Sequence, residues 1–205
     1  FQTITSGTSV IGEGYTGDGT SGVYIFGAML EAGSYSSSYI PNHGTSGGVT
    51  RAADVCTGDI SEEFNSIEGV LYAEISGFSA DSTNKRIAIR DASSAANFVY
   101  IYYSSINTIS VRVQANSVQE YIYNHSIDIT QNIKVCLKWK QNDFAMWVNG
   151  VEVNTQTSGN APTAGELVKM DFSAYGFQNF YGNVKQVAVF KEALSDSELA
   201  TLTTL

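Results

Sequence analysis

The segment IKVCLKWK at Ile133–Lys140 is followed closely by the segment FAMWVNGV at Phe144–Val151. In both segments alternate residues are apolar, which is typical of strands with one buried face. The three residues 141–143 between the segments predict a short hairpin loop. Asn149 and Gly150 predict the next tight turn because both tolerate positive φ. The stretch therefore predicts antiparallel strands joined by short turns.

Similar strand signals recur at short intervals before this hairpin. Val70–Ser76, Arg86–Arg90 and Ile109–Gln114 alternate apolar and polar residues, and Gln119–Tyr123 continues the series. Asn97–Tyr103 is apolar or aromatic on both faces, so we expect it at the centre of a sheet or with one face serving a site. At least eight short strands without helical periodicity predict an all-β, two-sheet antiparallel jelly-roll sandwich.

The end of the chain has a different pattern. Val184, Val187 and Val189 predict a strand with a bulge. The segment Ser195–Glu198 is a capping box that opens the apolar run Glu198–Leu202. We therefore expect a final strand followed by a short C-terminal helix.

Composition and charge limit the partners of the chain. The 205 residues are 43% hydrophobic and 15% charged, which is ordinary for a folded protein. The net charge is -9 and no cluster of Lys or Arg is present, so neither nucleic acid nor an anionic membrane surface is an expected partner. No apolar run approaches the roughly 18 residues of a membrane-spanning helix.

The N-terminal quarter differs from the rest in composition. Residues 1–50 carry almost no charge and are rich in Gly, Ser and Thr, and Gly22–Glu31 predicts one strong strand. A single strand needs a partner from the sandwich, another chain or preceding sequence. We expect residues 1–50 to be an N-terminal strand and linker segment, residues 51–205 to form the sandwich, and the chain to be a piece of a longer protein.

Two of these segments carry a family resemblance. The hairpin that ends in an aromatic residue, an aliphatic residue and Asn149-Gly150, and the closing run Phe180–Leu199, resemble the concanavalin A-like lectin/glucanase superfamily in its laminin-G-like form. The resemblance covers about residues 60–205. It implies the jelly-roll fold and says little about the ligand.

The sequence before the sandwich resembles a junction common in phage and prophage virion proteins. Phe26–Tyr35, Ser38–Pro41 and Val49–Asp54 carry this resemblance, and Glu63–Glu74 resembles the start of the laminin-G-like domain that follows the junction. The resemblance implies that residues 1 to about 45 end an upstream β-domain. It also implies a tail or fibre protein that meets host-surface glycans, located at the virion or at another extracellular surface. A homo-oligomer, such as a trimer formed through the parent protein, is a further expected partner.

The sequence lacks the carboxylate motif of the glucanases. Those enzymes place Glu-x-Asp-x-(x)-Glu on one strand, so that both catalytic carboxylates share a face. No Glu in this chain is followed two positions later by Asp; Glu62 and Glu63 would face opposite ways, and Glu74 stands alone. We therefore expect that this chain is not an enzyme.

Another catalytic arrangement on this architecture stays open. A polysaccharide lyase could use Tyr123 with His125, or Tyr102 with Arg112. Tyrosines on strands, however, commonly serve packing and hydrogen bonding. A polysaccharide lyase or hydrolase is therefore the second alternative to a binding protein.

Outward-facing polar and aromatic side chains define a candidate binding groove. Sugars are held by aromatic faces and by planar polar groups that bind hydroxyls. Alternation places Trp139 in the core and directs outward the candidate ligand-binding residues Tyr72, Glu74, Arg90, Tyr102, Arg112, Gln114 and Trp147. If they share a sheet, they line a groove; the alternative is a solvated face with cross-strand pairs. Tyr175, in the aromatic loop 175–181, is a further candidate.

The sequence leaves open whether a calcium site is present and whether Cys136 is a free thiol or part of a disulfide. Asp54, Asp59 and Asp171 fall at predicted strand ends and could hold a structural Ca²⁺, although no fixed ligand spacing is present and surface solvation is the alternative. No other cofactor is expected. Cys136 lies in an apolar run that favours a buried free thiol, whereas a disulfide to Cys56 would require an oxidising compartment.

The sequence thus favours a non-catalytic carbohydrate-binding or host-surface-binding module of a larger virion or extracellular protein. Its expected partner is a polysaccharide or host-surface glycan. The first alternative is a structural or oligomerisation domain of a phage tail or fibre.

Overall fold

The computed structural model describes residues 18–20, 27–30, 39–42, 44, 47–49, 57–59, 61–173 and 175–205; for 57–59 and 61 it gives the backbone only. The chain divides into two compact units, residues 1–51 and 52–205. The described residues of the first unit contain no helix or strand, and Gly27–Leu30, the described part of the predicted N-terminal strand, is irregular. The rest of that predicted strand, and Cys56, lie outside the described residues.

The described part of the second unit is built from strands and closes with one helix. A 3-10 turn at Ser61–Glu63 follows the first strand. In chain order the elements are β1 (Thr57–Asp59), β2 (Glu68–Gly77), β3 (Lys85–Arg90), β4 (Phe98–Ser105), β5 (Thr108–Ala115), β6 (Val118–Ser126), β7 (Ile133–Lys140), β8 (Phe144–Val148), β9 (Val151–Gln156), β10 (Lys169–Asp171), β11 (Gly182–Phe190) and α1 (Asp196–Thr203).

These strands form two antiparallel sheets. The six-stranded sheet has the order β1-β10-β3-β4-β5-β6, and the five-stranded sheet has the order β11-β2-β7-β8-β9. Every pairing within the two sheets is antiparallel. The prediction of an all-β, two-sheet antiparallel sandwich with a short C-terminal helix is confirmed.

The core lies between the sheets and follows the alternation of the strands. Ile87, Ile101 and Val111 come from the six-stranded sheet, and Leu71 and Leu137 come from the five-stranded sheet; all are fully buried. Because each strand presents every second residue to one face, the other set of side chains points away from the core. The core thus decides which residues reach the two outer faces.

Trp139 lies in this core, as the sequence predicted. Its side chain is fully buried, and its indole Nε1 donates a hydrogen bond to the backbone oxygen of Ser66 at 3.1 Å. This hydrogen bond offsets the cost of removing the indole N–H from water.

The predicted turns, bulge and helix start are also present. Asn149 and Gly150 adopt φ of 51° and 84° in the tight turn between β8 and β9. The pairing of β11 with β2 shifts register between Val184 and Gln186, which is the predicted bulge. At the start of α1 the backbone N–H of Ser195 donates to the Glu198 carboxylate at 2.8 Å, as expected for a capping box.

Helix α1 covers apolar side chains on the outer face of the five-stranded sheet, and this corrects the prediction for Trp147. Leu199 of the helix is fully buried in a cluster with Tyr72, Cys136, Ala145 and Trp147. Trp147 does point away from the core, but it is only 8% exposed and Tyr72 only 2%. Alternation shows to which side a residue points; it does not show that a distant helix covers that side.

The same cluster explains the state of Cys136. The thiol is free and fully buried, and burial raises its pKa to about 12. The prediction of a buried free thiol is confirmed. Since the thiolate is the reactive form, Cys136 is expected to be inert towards electrophiles in the folded protein.

We predict that Leu199→Ala destabilises the protein because it leaves a cavity between α1 and Trp147. The free energy of unfolding should fall by about 2 to 5 kcal/mol, the usual range for a buried Leu→Ala change. Leu205→Ala, at a leucine that is 68% exposed, is the control and should change it by less than about 0.5 kcal/mol. Urea unfolding monitored by tryptophan fluorescence measures both, and equal losses would contradict this packing.

Candidate functional site

A row of three aromatic rings lies on the outer face of β4. The strand sends Val99 and Ile101 into the core and Phe98, Tyr100 and Tyr102 to the other side. Phe98 and Tyr100 stack with ring centroids 4.5 Å apart, and Tyr102 meets Tyr100 edge to face at 5.2 Å. A strand that is aromatic or apolar on both faces therefore has one face in the core and the other in this row.

Two arginines from the neighbouring strands lie over the aromatic row. The Cζ atom of Arg86, on β3, is 4.6 Å from the centre of the Tyr100 ring, and that of Arg112, on β5, is 5.3 Å from the centre of the Phe98 ring. Such cation–π contacts hold a guanidinium in place. Phe98 and Tyr100 are 7% and 3% exposed, whereas both arginines are half-buried. The cations, rather than the ring faces, therefore border the solvent.

Arg90 is held differently from these two arginines. It forms a buried ion pair with Asp171 of β10, and its Nη1 donates to the backbone oxygens of Asp91 and Ala92 at 2.9 and 3.1 Å. A guanidinium with this many partners is fixed and its charge is balanced. The same pair counts against Asp171 as a candidate calcium ligand, because its carboxylate is buried beside a cation, and it equally differs from the alternative of a solvated surface carboxylate.

Tyr175 forms one wall of the site and is positioned by Asp91. Its hydroxyl donates to Asp91 Oδ1 at 2.9 Å, and the Cζ atom of Arg90 lies 4.2 Å from the centre of its ring. Tyr175 has φ of 54°, in the left-handed region that a bulky residue rarely adopts without support. The hydrogen bond and the cation contact supply that support.

Asp91 also organises the turn that follows β3. Its carboxylate accepts hydrogen bonds from the backbone N–H groups of residues 94–97 at 2.8 to 3.1 Å and from Ser94 Oγ at 2.7 Å. Burial by itself would raise the pKa of Asp91, but the bonds from Ser94, Asn97 and Tyr175 outweigh it and hold the pKa below its ordinary value. Asp91 is therefore a charged hub for this corner of the sheet.

A surface cavity of about 250 Å³ lies over the aromatic row between these groups. Of the candidate ligand-binding residues, the structure brings together Arg90, Arg112, Gln114 and Tyr175 in its lining. Tyr102 lies in the same row but is not part of the lining. The other lining residues are Arg86, Ala88, Ala95, Phe98 and Tyr100.

The remaining candidates lie on the other sheet, so the expectation of one shared groove is wrong. Tyr72 and Trp147 are beneath α1. Glu74, on β2, accepts hydrogen bonds from Asn132 at 2.9 Å and Lys185 at 3.1 Å, which lower the pKa of its carboxyl. Whether a strand enters one sheet or the other depends on long-range pairing, which alternation does not encode.

Sequence reasoning missed three lining residues that it could have found. Arg86 shares its face of β3 with Arg90, and Phe98 and Tyr100 share their face of β4 with Tyr102. The alternation that selected Arg90 and Tyr102 also selects these three.

The described part of the chain offers no assembled metal centre. No group of three or more His, Cys, Asp or Glu side chains lies close enough to hold an ion among the described residues. Asp54 lies outside them, and only the backbone of Asp59 is described. Asp81, in the middle of the β2–β3 connection, accepts hydrogen bonds from the side chains of Lys85 and Thr83. Within the described regions, no helix is long and apolar enough to cross a membrane.

Comparison with known proteins places the chain in a family. Residues 78–200 match the concanavalin A-like lectin/glucanases superfamily, in its laminin G form. The chain belongs to this superfamily, as its hairpin and closing run indicated. No curated protein matches the sequence.

Solved structures share the fold at low sequence identity. The CBM40 of Ruminococcus gnavus IT-sialidase bound to alpha2,3 sialyllactose aligns with a TM-score of 0.59 and 14% identity, over 75% of this chain and 95% of that one. The NanB sialidase of Streptococcus pneumoniae aligns with a TM-score of 0.58 and 16% identity, over 73% of this chain and 26% of that one. A SAP-like pentraxin from Limulus polyphemus aligns with a TM-score of 0.51 and 18% identity, over 67% of this chain and 70% of that one.

We predict that Asp91→Asn removes a pH-dependent part of the stability. Because the native pKa of Asp91 is lowered, its contribution is complete above the unfolded value of about 3.9 and is lost as the pH falls through the native value. Thermal unfolding should show the variant less stable than wild type at neutral pH, with the gap narrowing below about pH 4. Asp128→Asn, at an exposed carboxylate, is the control and should lose less. A gap that stays constant with pH would contradict this role.

Proposed function

We propose that this chain is a non-catalytic carbohydrate-binding module and that its site is the cavity over β3, β4 and β5. The observation that carries the proposal is the convergence of planar polar groups from three strands and one loop on a single cavity. Guanidinium, amide and phenol groups bind sugar hydroxyls and fix the orientation of the ring.

The size of the cavity favours a small part of a glycan. At about 250 Å³ it is somewhat below the range of roughly 300 to 1,000 Å³ typical of sites that enclose a drug-sized ligand. One sugar residue of a longer chain suits this volume. The remainder of the glycan would extend over the sheet surface.

The similar structures support a glycan as the ligand class. One of them, the CBM40 of the Ruminococcus gnavus enzyme, is bound to a sialyllactose. At 13 to 14% identity this likeness concerns the fold alone, so the proposal for this chain rests on the residues that line its cavity.

The positions of the candidate catalytic pairs speak against a lyase at this cavity. Tyr123 packs against the core and His125 pairs with the core residue Ile109, so both lie on the inner side of the six-stranded sheet. Burial raises the pKa of Tyr102, which opposes its use as a proton acceptor. The arrangement therefore suits binding better than proton abstraction.

We place the module in a virion tail or fibre, or in another extracellular protein that meets a cell surface. The support is the resemblance of Phe26–Tyr35 and Val49–Asp54 to the junctions of phage and prophage proteins. Trimer formation through such a parent protein belongs to the same proposal. A trimer that binds no glycan would favour the alternative of a structural or oligomerisation domain.

We predict that Tyr175→Ala weakens glycan binding about tenfold or more, because it removes one wall of the cavity. Phe177→Ala is the matched control: Phe177 lies two residues along the same loop, is 74% exposed and does not line the cavity. A glycan array identifies ligands for the wild-type chain, and calorimetry compares the variants. Loss of binding in Phe177→Ala, with Tyr175→Ala unaffected, would move the site away from the cavity.

We also predict that the chain releases neither reducing nor unsaturated ends from any polysaccharide that it binds. A reducing-sugar assay detects hydrolysis, and ultraviolet absorbance of the unsaturated product detects a lyase, so the two together cover both reaction classes. The same preparation should bind the glycan in an affinity gel. Product formation that Tyr102→Phe abolishes would favour the lyase alternative.

A further inference from the structure

The cavity contains two cations without a balancing anion. Among the residues that the structure describes, neither Arg86 nor Arg112 forms an ion pair, and the Nε atom of each is buried without a hydrogen-bond acceptor. The two carboxylates of this corner are already engaged: Asp171 pairs with Arg90, and Asp91 accepts several hydrogen bonds. The lining thus carries an excess of two positive charges in a chain of net charge -9.

Two partly buried positive charges raise the free energy of the folded protein unless a negative charge balances them. Half-burying a cation loses hydration, and contact with an aromatic face restores only part of the loss. An anionic ligand would restore the rest through charge-assisted hydrogen bonds, which are about twice as strong as neutral ones.

We propose that the cavity binds an acidic sugar residue through its carboxylate, with Arg86 and Arg112 as the two binding cations. This inference rests on the proposed function and specifies its ligand class. Ring hydroxyls of the same residue would then face Gln114 and Tyr175.

The positions of the two arginines suit a planar carboxylate. They extend from β3 and β5, on either side of β4, and their partners on β4 are two residues apart. Two strand spacings across the sheet and two residues along it separate the backbones by roughly 12 Å. Both side chains lean over the Phe98–Tyr100 part of the aromatic row. A guanidinium is a planar fork that matches a carboxylate with two parallel hydrogen bonds, which a lysine cannot do.

Arg112 is further fixed before any ligand arrives. Its Nη2 donates to Gln114 Oε1 at 2.9 Å, and Gln114 Nε2 donates to the backbone oxygen of Ala95 at 2.7 Å. This chain of hydrogen bonds ties the guanidinium to the turn organised by Asp91. A group that is already immobilised loses less conformational entropy on binding, so it contributes more of its interaction to affinity.

The test compares acidic saccharides with their neutral counterparts on the full chain. The probes are 3′-sialyllactose and a glucuronate-terminated trisaccharide, each with its carboxyl-reduced alcohol, and lactose 3′-sulfate as a non-carboxylate anion. Calorimetry should show each acid binding about tenfold or more tightly than its reduced form, and more tightly than the sulfate. Affinity for the acids should also fall as salt is raised.

Substitutions assign the effect to the two arginines. Arg86→Gln and Arg112→Gln should each weaken binding of the acid by about tenfold and weaken binding of its reduced form by clearly less, because only the acid carries the carboxylate. Arg86→Lys keeps the charge but not the fork and should lose less than Arg86→Gln. Lys185→Gln makes the same charge change on the five-stranded sheet and should have no effect. A thermal unfolding midpoint for each variant shows that it is folded.

The outcomes separate this inference from the proposed function. Equal affinity for acid and reduced forms, or a preference for the sulfate, would overturn the carboxylate inference while glycan binding stands. Equal losses in Lys185→Gln and the arginine variants would overturn the assignment to Arg86 and Arg112. Binding of no saccharide in the panel or on the array would overturn both proposals.

Discussion

The register of β4 against β3 and β5 is the constraint on which the candidate site depends. Since successive side chains of a strand point to opposite faces, a shift of one residue would exchange the core set with the outer set. The structure pairs Tyr102 with Arg86 and Tyr100 with Arg112, which brings both arginines to the aromatic row. The contacts that close the core therefore also place the two cations. The site requires no irregular backbone beneath the cavity, because its floor is regular sheet.

The two outer faces of the sandwich cover their apolar side chains in different ways. Each face carries bulky apolar or aromatic side chains that are unfavourable to expose. On the five-stranded sheet α1 covers them, with Leu199 over Trp147. On the six-stranded sheet the guanidiniums of Arg86 and Arg112 cover Phe98 and Tyr100. The second cover consists of cationic side chains, and the candidate site lies on that sheet.

The sequence predicted what depends on neighbours along the chain. The hairpin turn at Asn149-Gly150, the capping box at Ser195–Glu198 and the burial of Trp139 are local patterns, and the structure has all of them. The distribution of strands between the sheets depends on pairing partners far apart in sequence, so the grouping of Trp147 with Arg112 was wrong. The aromatic row could have been predicted from the sequence, because Tyr100 and Tyr102 are two residues apart on one strand and therefore point to the same face. The contacts of the two arginines with these rings could not have been predicted, since they depend on side-chain conformations across three strands.

The floor and the wall of the cavity are held by separate means. The floor follows from strand register, whereas the wall depends on Asp91, which accepts hydrogen bonds from both the turn after β3 and the Tyr175 hydroxyl. One carboxylate thus joins two loops through residues that are 84 positions apart in sequence. Because loops change more readily than the sheets that carry them, the wall can vary without disturbing the core. An acidic-sugar site would then require the two arginines on the sheet, while the choice among acidic sugars would be made by the loop that bears Tyr175.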